Sequence, residues 1–160
     1  MSASVRLFRI ATDTPDYQAD DLSGAGANAT GGRWNRVGTP LVYLSSSRAL
    51  ACLETVVHLV ADALPLNRYL VEITIPSDAW DRRTVLSPND HVGWDAQPAA
   101  QVSLDWGTAW ANAGKALIAE VPSVIVPEES NYLLNPAHSD CQAVSAVKIR
   151  KWTYDGRLGG

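Results

Sequence analysis

The sequence predicts an α+β fold, and three features lead there. Many short segments rich in β-branched and aromatic residues are bounded by Pro, Gly and Asn. Two or three others repeat apolar residues at helical spacing, and no internal repeat or linker interrupts the chain. With 160 residues, 46% of them hydrophobic, there is material for one substantial core, and a single domain over residues 1–160 is expected.

Leu7 to Ile10 reads as an opening strand. Thr12 to Thr39 is a long polar stretch, and loops of that length inside a domain commonly serve function. Leu41 to Leu44 reads as a buried strand running into Ser45, Ser46 and Ser47, which can cap a helix. From Arg48 to Asp62, Leu50, Leu53, Val57 and Val60 recur at helical spacing, and Pro65 closes the segment.

Arg68 to Ile75 has the composition of a strand, ended by Pro76 and followed by an irregular region through Pro98. Asp105 to Ala113 fits a short helix. Ala116 to Glu120 and Ser123 to Val126 fit a strand pair split by Pro122. Asn135-Pro136 signals a turn, and Val144 to Tyr154 alternates as an edge strand would.

Composition narrows the function. The net charge is −4 and no run of Lys and Arg forms a stripe able to neutralise phosphates in sequence, so direct nucleic acid binding is not expected. Cys52 and Cys141 lack a CxxC spacing and are expected as reduced thiols, with no metal site. No stretch of about 20 apolar residues could span a bilayer, and no apolar leader follows Arg6 and Arg9, so a soluble cytoplasmic protein is expected.

Three constellations could support chemistry. In Gly31-Gly32-Arg33-Trp34-Asn35 two glycines permit close backbone approach to a ligand, and Arg33 offers a planar fork for phosphate or carboxylate; a turn with a solvated Arg is the plain alternative. The pattern is neither a Walker loop nor a dinucleotide fingerprint. Glu54 falls between Leu50 and Val57 on the apolar stripe of its helix, where a carboxylate is either paired in the core or open to a cleft. His58, one turn on, reads as structural or supporting, and His138 with Cys141 lacks the spacing of a nucleophile and base. Glu128-Glu129-Ser130-Asn131-Tyr132 is a dense polar set that pattern alone assigns to a turn or cap, without deciding which of Glu128, Glu129 and Ser130 meets a cleft.

Taken in this order, the pieces resemble the RES domain, a family named for an Arg, a Glu and a Ser in its motifs. Here those fall on Arg33 in GGRWN, Glu54 in LETVVHL and Ser130 in EESNYLLNP. The resemblance extends through Gly38-Thr39-Pro40, Val42-Tyr43, Val121-Pro122-Ser123, Asn135-Pro136-Ala137-His138 and the closing Tyr154-Asp155-Gly156-Arg157-Leu158, with no site residue placed between Asp90 and Ala111.

The resemblance implies a fold like that of ADP-ribosyltransferases such as diphtheria toxin. It also implies the toxin of a type II toxin–antitoxin pair, which depletes NAD by cleaving its nicotinamide–ribose bond as a glycohydrolase or phosphorylase. Its partner would be an Xre-type antitoxin with a helix-turn-helix part. On this reading Arg33 holds the phosphates, Tyr43 packs at the nicotinamide end and Glu54 stabilises the ribose, with Trp34, Ser130 and Asn131 also contacting NAD. A protein ADP-ribosyltransferase would share these residues and differ in the acceptor. A non-catalytic module, with Glu54 in a core ion pair, is the rival class.

Overall fold

The computed structural model describes residues 3–59 and 65–159. It is a mixed α+β fold built on one seven-stranded sheet with four α-helices. The strands are β1 (Val5–Thr12), β2 (Val42–Ser45), β3 (Arg68–Ile75), β4 (Thr84–Val85), β5 (Ile118–Pro122), β6 (Ser130–Leu134) and β7 (Ser145–Lys151). The helices are α1 (Ala25–Thr30), α2 (Arg48–Val56), α3 (Ser77–Asp81) and α4 (Gln101–Ala113). The sheet order is β4-β5-β6-β2-β1-β3-β7, antiparallel throughout except for β4 beside β5.

Alternation along the strands sends Val42, Leu44, Ile73, Ile75, Ile118 and Leu134 to one face, where they form a continuous core. The other face carries two separate clusters. Phe8, Ile10 and Leu70 pack under α2 with Ala51, Cys52 and the closing Tyr154, whose hydroxyl meets Thr55 Oγ1 at 2.7 Å. Ala119, Val121 and Leu133 pack under α4 with Trp34 and Trp110. Tyr43 and Ser45 of β2 lie on this same face, between the two clusters.

The predicted opening strand, the strand over Arg68–Ile75 and the edge strand are all present, with β7 at the sheet margin. Ser47 caps α2, accepting from the Leu50 N–H at 3.1 Å. The helix stops at Val56, short of the predicted Asp62; Val60 and Asp62 lie outside the described residues. Its buried side is Leu50, Ala51 and Cys52, while Leu53 and Val57 are exposed, so the predicted apolar stripe is rotated away from the core.

Ser123–Val126 is a turn rather than a strand, because the Ser123 hydroxyl accepts from the N–H groups of Ile125 and Val126 and reverses the chain. The strand that pairs with β5 is instead β6, in the segment composition assigned to a turn. The polar stretch from Thr12 to Thr39 contains α1, and α4 starts four residues before the expected Asp105.

Helix α4 approaches the GGRWN segment at Gly107, where an added Cβ would lie 1.8 Å from the Trp34 carbonyl oxygen. Gly107→Ala is therefore expected to push α4 off Trp34 and to destabilise the fold by about 3 kcal/mol, measured by urea unfolding. A variant as stable as the parent would show that the contact is loose.

Candidate active-site cleft

Strands β1 and β2 pair only at Phe8 with Ser45. Beyond that pair β1 follows β3 along eight residues while β2 follows β6, and a cleft of about 680 Å³ opens between them. Arg9, Ile10 and Ala11 form one wall and Tyr43, Leu44 and Ser45 the other; Gly31 to Trp34, α2 and the Pro122 turn complete it.

Glu54 enters from α2. Its Oε1 accepts from Ser123 Oγ and from Asn131 Nδ2, each at 2.7 Å. The Asn131 amide is held in that sense by Ser45 Oγ, which donates to its Oδ1 at 2.8 Å. A turn and a strand thus converge on one carboxylate oxygen, with β2 acting on it through Asn131, and Oε2 makes no hydrogen bond among the described residues. Glu54 is half-buried on the cleft wall and forms no core ion pair there, and its side chain does not bond to His58, which is exposed at the rim.

Arg33 projects from the other side. Its Nη1 donates to the carbonyls of Trp94 (3.0 Å) and Ala96 (2.7 Å), both in the segment to which no site residue was assigned. The remaining guanidinium nitrogens make no hydrogen bond among the described residues. Burial lowers its pKa from the ordinary arginine value, and the charges of Glu54 and Asp95 offset part of that.

Tyr43 connects the wall to the loop. Its hydroxyl donates to Asn35 Oδ1 at 2.6 Å and accepts from the Trp34 N–H at 3.0 Å. The fully buried Asn35 in turn donates to the carbonyls of Ala27 and Thr39. A Cβ on Gly32 would lie 2.7 Å from the Tyr43 hydroxyl, and Gly31 has φ +72° at the end of α1. The glycines therefore serve the loop's own packing. Trp34 touches the cleft, but its ring is buried edge-on against Trp106.

Of the predicted site residues, Arg33, Trp34, Tyr43, Glu54 and Asn131 line one cleft. Ser130 does not. Strand alternation turns it to the opposite face, where its hydroxyl donates to Glu120 Oε2 at 3.3 Å. Glu128 and Glu129 are exposed on the turn and also lie outside the lining. The serine bonded to Glu54 is Ser123, within the Val121-Pro122-Ser123 that belonged to the family resemblance but was given no role in the site. His138 caps a short turn, its Nδ1 accepting from the Asp140 N–H. Both cysteines are free thiols, raised in pKa by burial. Among the described residues no cluster of His, Cys, Asp and Glu is arranged to hold a metal, and no helix is long and apolar enough to cross a membrane.

A concave, largely preformed site of this size with a few convergent polar groups is the form that small-molecule sites take. Residues 6–156 match the family model described as the RES domain, and the chain belongs to that family. It is 59% identical over 153 residues, 95% of each chain, to the Prs ADP-ribosylating toxin of a Sphingobium species. It is 39% identical to Toxin Res of Yersinia enterocolitica, over 89% of this chain and 93% of that one. Toxin Res of Pseudomonas putida is 36% identical, with 86% and 92% covered.

Burial is the largest influence on the Tyr43 phenol and raises its pKa well above the ordinary 10.0. A phenol that ionises more readily unfolded than folded contributes stability below pH 10, and that contribution is lost as pH rises further. Tyr43→Phe should lower stability by about 1–3 kcal/mol at neutral pH by stranding the Trp34 N–H and Asn35 Oδ1. It should also flatten the decline above pH 10, measured by urea unfolding across pH. An unaltered alkaline slope would place the phenol in contact with water.

Proposed function

We propose that this chain is a toxin that binds NAD in the cleft and breaks the bond between nicotinamide and ribose. The observation that supports it best is Glu54: a carboxylate fixed through one oxygen, with the other presented to a cleft that an arginine also enters. As the C–N bond breaks, the electron pair leaves with nicotinamide and positive charge grows on the ribose. A carboxylate beside the sugar lowers the energy of that state more than of bound NAD. An acceptor then bonds to the anomeric carbon and gives up its proton.

In this reading the nitrogens of Arg33 not engaged by the Trp94 and Ala96 carbonyls bind the pyrophosphate, and the Tyr43 ring lines the nicotinamide end. Asn131 and Ser123 position Glu54; Asn131 keeps a role, whereas Ser130 has none. With water as the acceptor the chain is a glycohydrolase, with phosphate a phosphorylase. The 59% identity to a protein named as an ADP-ribosylating toxin favours a second reading, transfer of ADP-ribose to a protein side chain. A fold of the ADP-ribosyltransferase type and a cytoplasmic location accord with either.

The reading includes an Xre-type antitoxin with a helix-turn-helix part that covers the cleft. Exposed Val57 and Ile125 at the cleft offer an apolar rim for such a partner. Production of the chain alone in growing cells should deplete NAD and stop growth, and co-production of the partner should prevent both; normal growth and NAD with the chain alone would argue against a toxin.

Purified protein incubated with NAD should release nicotinamide, and mass analysis of the ribose product, with and without cell extract, identifies the acceptor. Neither nicotinamide nor a modified protein would leave a binding module. Glu54→Gln retains the bonds from Ser123 and Asn131 but removes the charge, so single-turnover nicotinamide release should fall about 100-fold or more, on the order of 3 kcal/mol. Its melting temperature should stay close to the parent's, whereas a Glu serving folding alone would lose stability and keep its rate. Arg33→Lys should weaken NAD binding nearly as much as Arg33→Ala, because a point charge cannot reproduce the fork; equal affinity in all three proteins would remove Arg33 from the site.

A further inference from the structure

Helix α4 contributes no residue to the cleft lining, yet it grips the segment that carries Arg33. Gly107 packs against the Trp34 carbonyl, Thr108 Oγ1 accepts from the Arg36 N–H at 3.1 Å, and Asp105 pairs with the Arg36 side chain. A further link reaches Arg33 itself, through Ser103. This residue is fully buried, and its Oγ donates to the Trp94 carbonyl at 2.9 Å. The same oxygen accepts from Arg33 Nη1 at 3.0 Å.

Folding alone does not call for that hydroxyl. Alanine suits a helix better than serine, and the Ser103 hydroxyl neither caps α4 nor bonds back to its own helix. The Trp94 carbonyl already has a donor in Arg33, so Ser103 rescues no group that would otherwise be stranded. What the second donor supplies is direction. With Ser103 and Arg33 on its two lone pairs, the carbonyl cannot turn with its loop, and the guanidinium rests on two oxygens, one of them fastened to a helix. Both oxygens are neutral acceptors. They orient the fork without neutralising it, and its charge stays available to an anion.

We infer that Ser103 is a positioning residue for Arg33, acting from α4 through the Trp94 carbonyl to aim the guanidinium into the cleft. It touches no ligand itself. The inference rests on the reading of the cleft as an NAD site in which Arg33 meets the pyrophosphate.

The full chain and its Ser103→Ala, Arg33→Ala and doubly substituted variants can be titrated calorimetrically with ADP-ribose and adenosine, with melting temperatures measured on the same samples. Ser103→Ala is expected to bind ADP-ribose about three- to tenfold more weakly, the effect of one hydrogen bond, with adenosine unaffected. In the Arg33→Ala background the same substitution should cost no further affinity. It should lower the melting temperature more there than in the parent, because the Trp94 carbonyl then loses its second donor. Where Arg33→Ala binds too weakly to titrate, the melting temperatures complete the comparison. Ser103→Cys, similar in size but a much weaker donor, should behave as Ser103→Ala, and it decides the matter if the alanine variant folds poorly. Affinity lost for both ligands alike, or melting-temperature losses that simply add, would make Ser103 a structural residue and overturn the inference. Parent protein that binds ADP-ribose no better than the Ser103 variants overturns this inference alone, and parent protein that does not bind it overturns the NAD reading as well.

Discussion

The single pairing of Phe8 with Ser45 is the constraint around which the rest of the molecule is arranged. A sheet whose two central strands paired along their length would be closed there, and its face would be covered by one continuous helical layer. With one pair, β1 and β2 separate, each committed to its outer neighbour. The apolar face splits accordingly into a cluster under α2 and another under α4, and the polar groups lie where the two fail to meet. Helix α2 brings Glu54 from one side and the loop beneath α4 brings Arg33 from the other.

Polar atoms turned into such a junction and away from water must find partners there, because an unpartnered buried donor or acceptor is costly. Ser45, Asn131, Glu54 and Ser123 do so in a fixed sense: hydroxyl to amide oxygen, amide nitrogen to carboxylate, second hydroxyl to the same carboxylate oxygen. The result is a carboxylate with little rotational freedom. Tyr43 plays the corresponding part for the loop, and the absence of a side chain at Gly32 is what admits its hydroxyl. Both charged groups are thus held in place by the scaffold itself.

Local composition anticipated a good deal of this. Strand β3 declares itself because Val71, Ile73 and Ile75 recur at every second position and bury one face in the core. The cap at Ser47 follows from backbone donors that any helix start leaves open. Strand β6 was illegible for the opposite reason: Ser130 and Asn131 look like turn residues until Glu120, Ser45 and Glu54 are available to bond them. Those partners lie 10 to 86 positions away in the chain. The rotated face of α2 was hidden likewise, since Leu53 and Val57 fit a helical stripe whichever way the helix is turned against the sheet.

Residue type at short spacing was enough for the α+β class and most of the strands, while the order of the motifs along the chain carried the family resemblance, within which Arg33, Tyr43, Glu54 and Asn131 were expected as site residues. That Ser123 rather than Ser130 supports Glu54, and that the carbonyls of Trp94 and Ala96 anchor Arg33, came only with the packed fold. Strand alternation alone assigns neighbours to opposite faces without naming which face is which. The assignment is made when β1 and β2 part, since that divergence determines which side chains look into the gap.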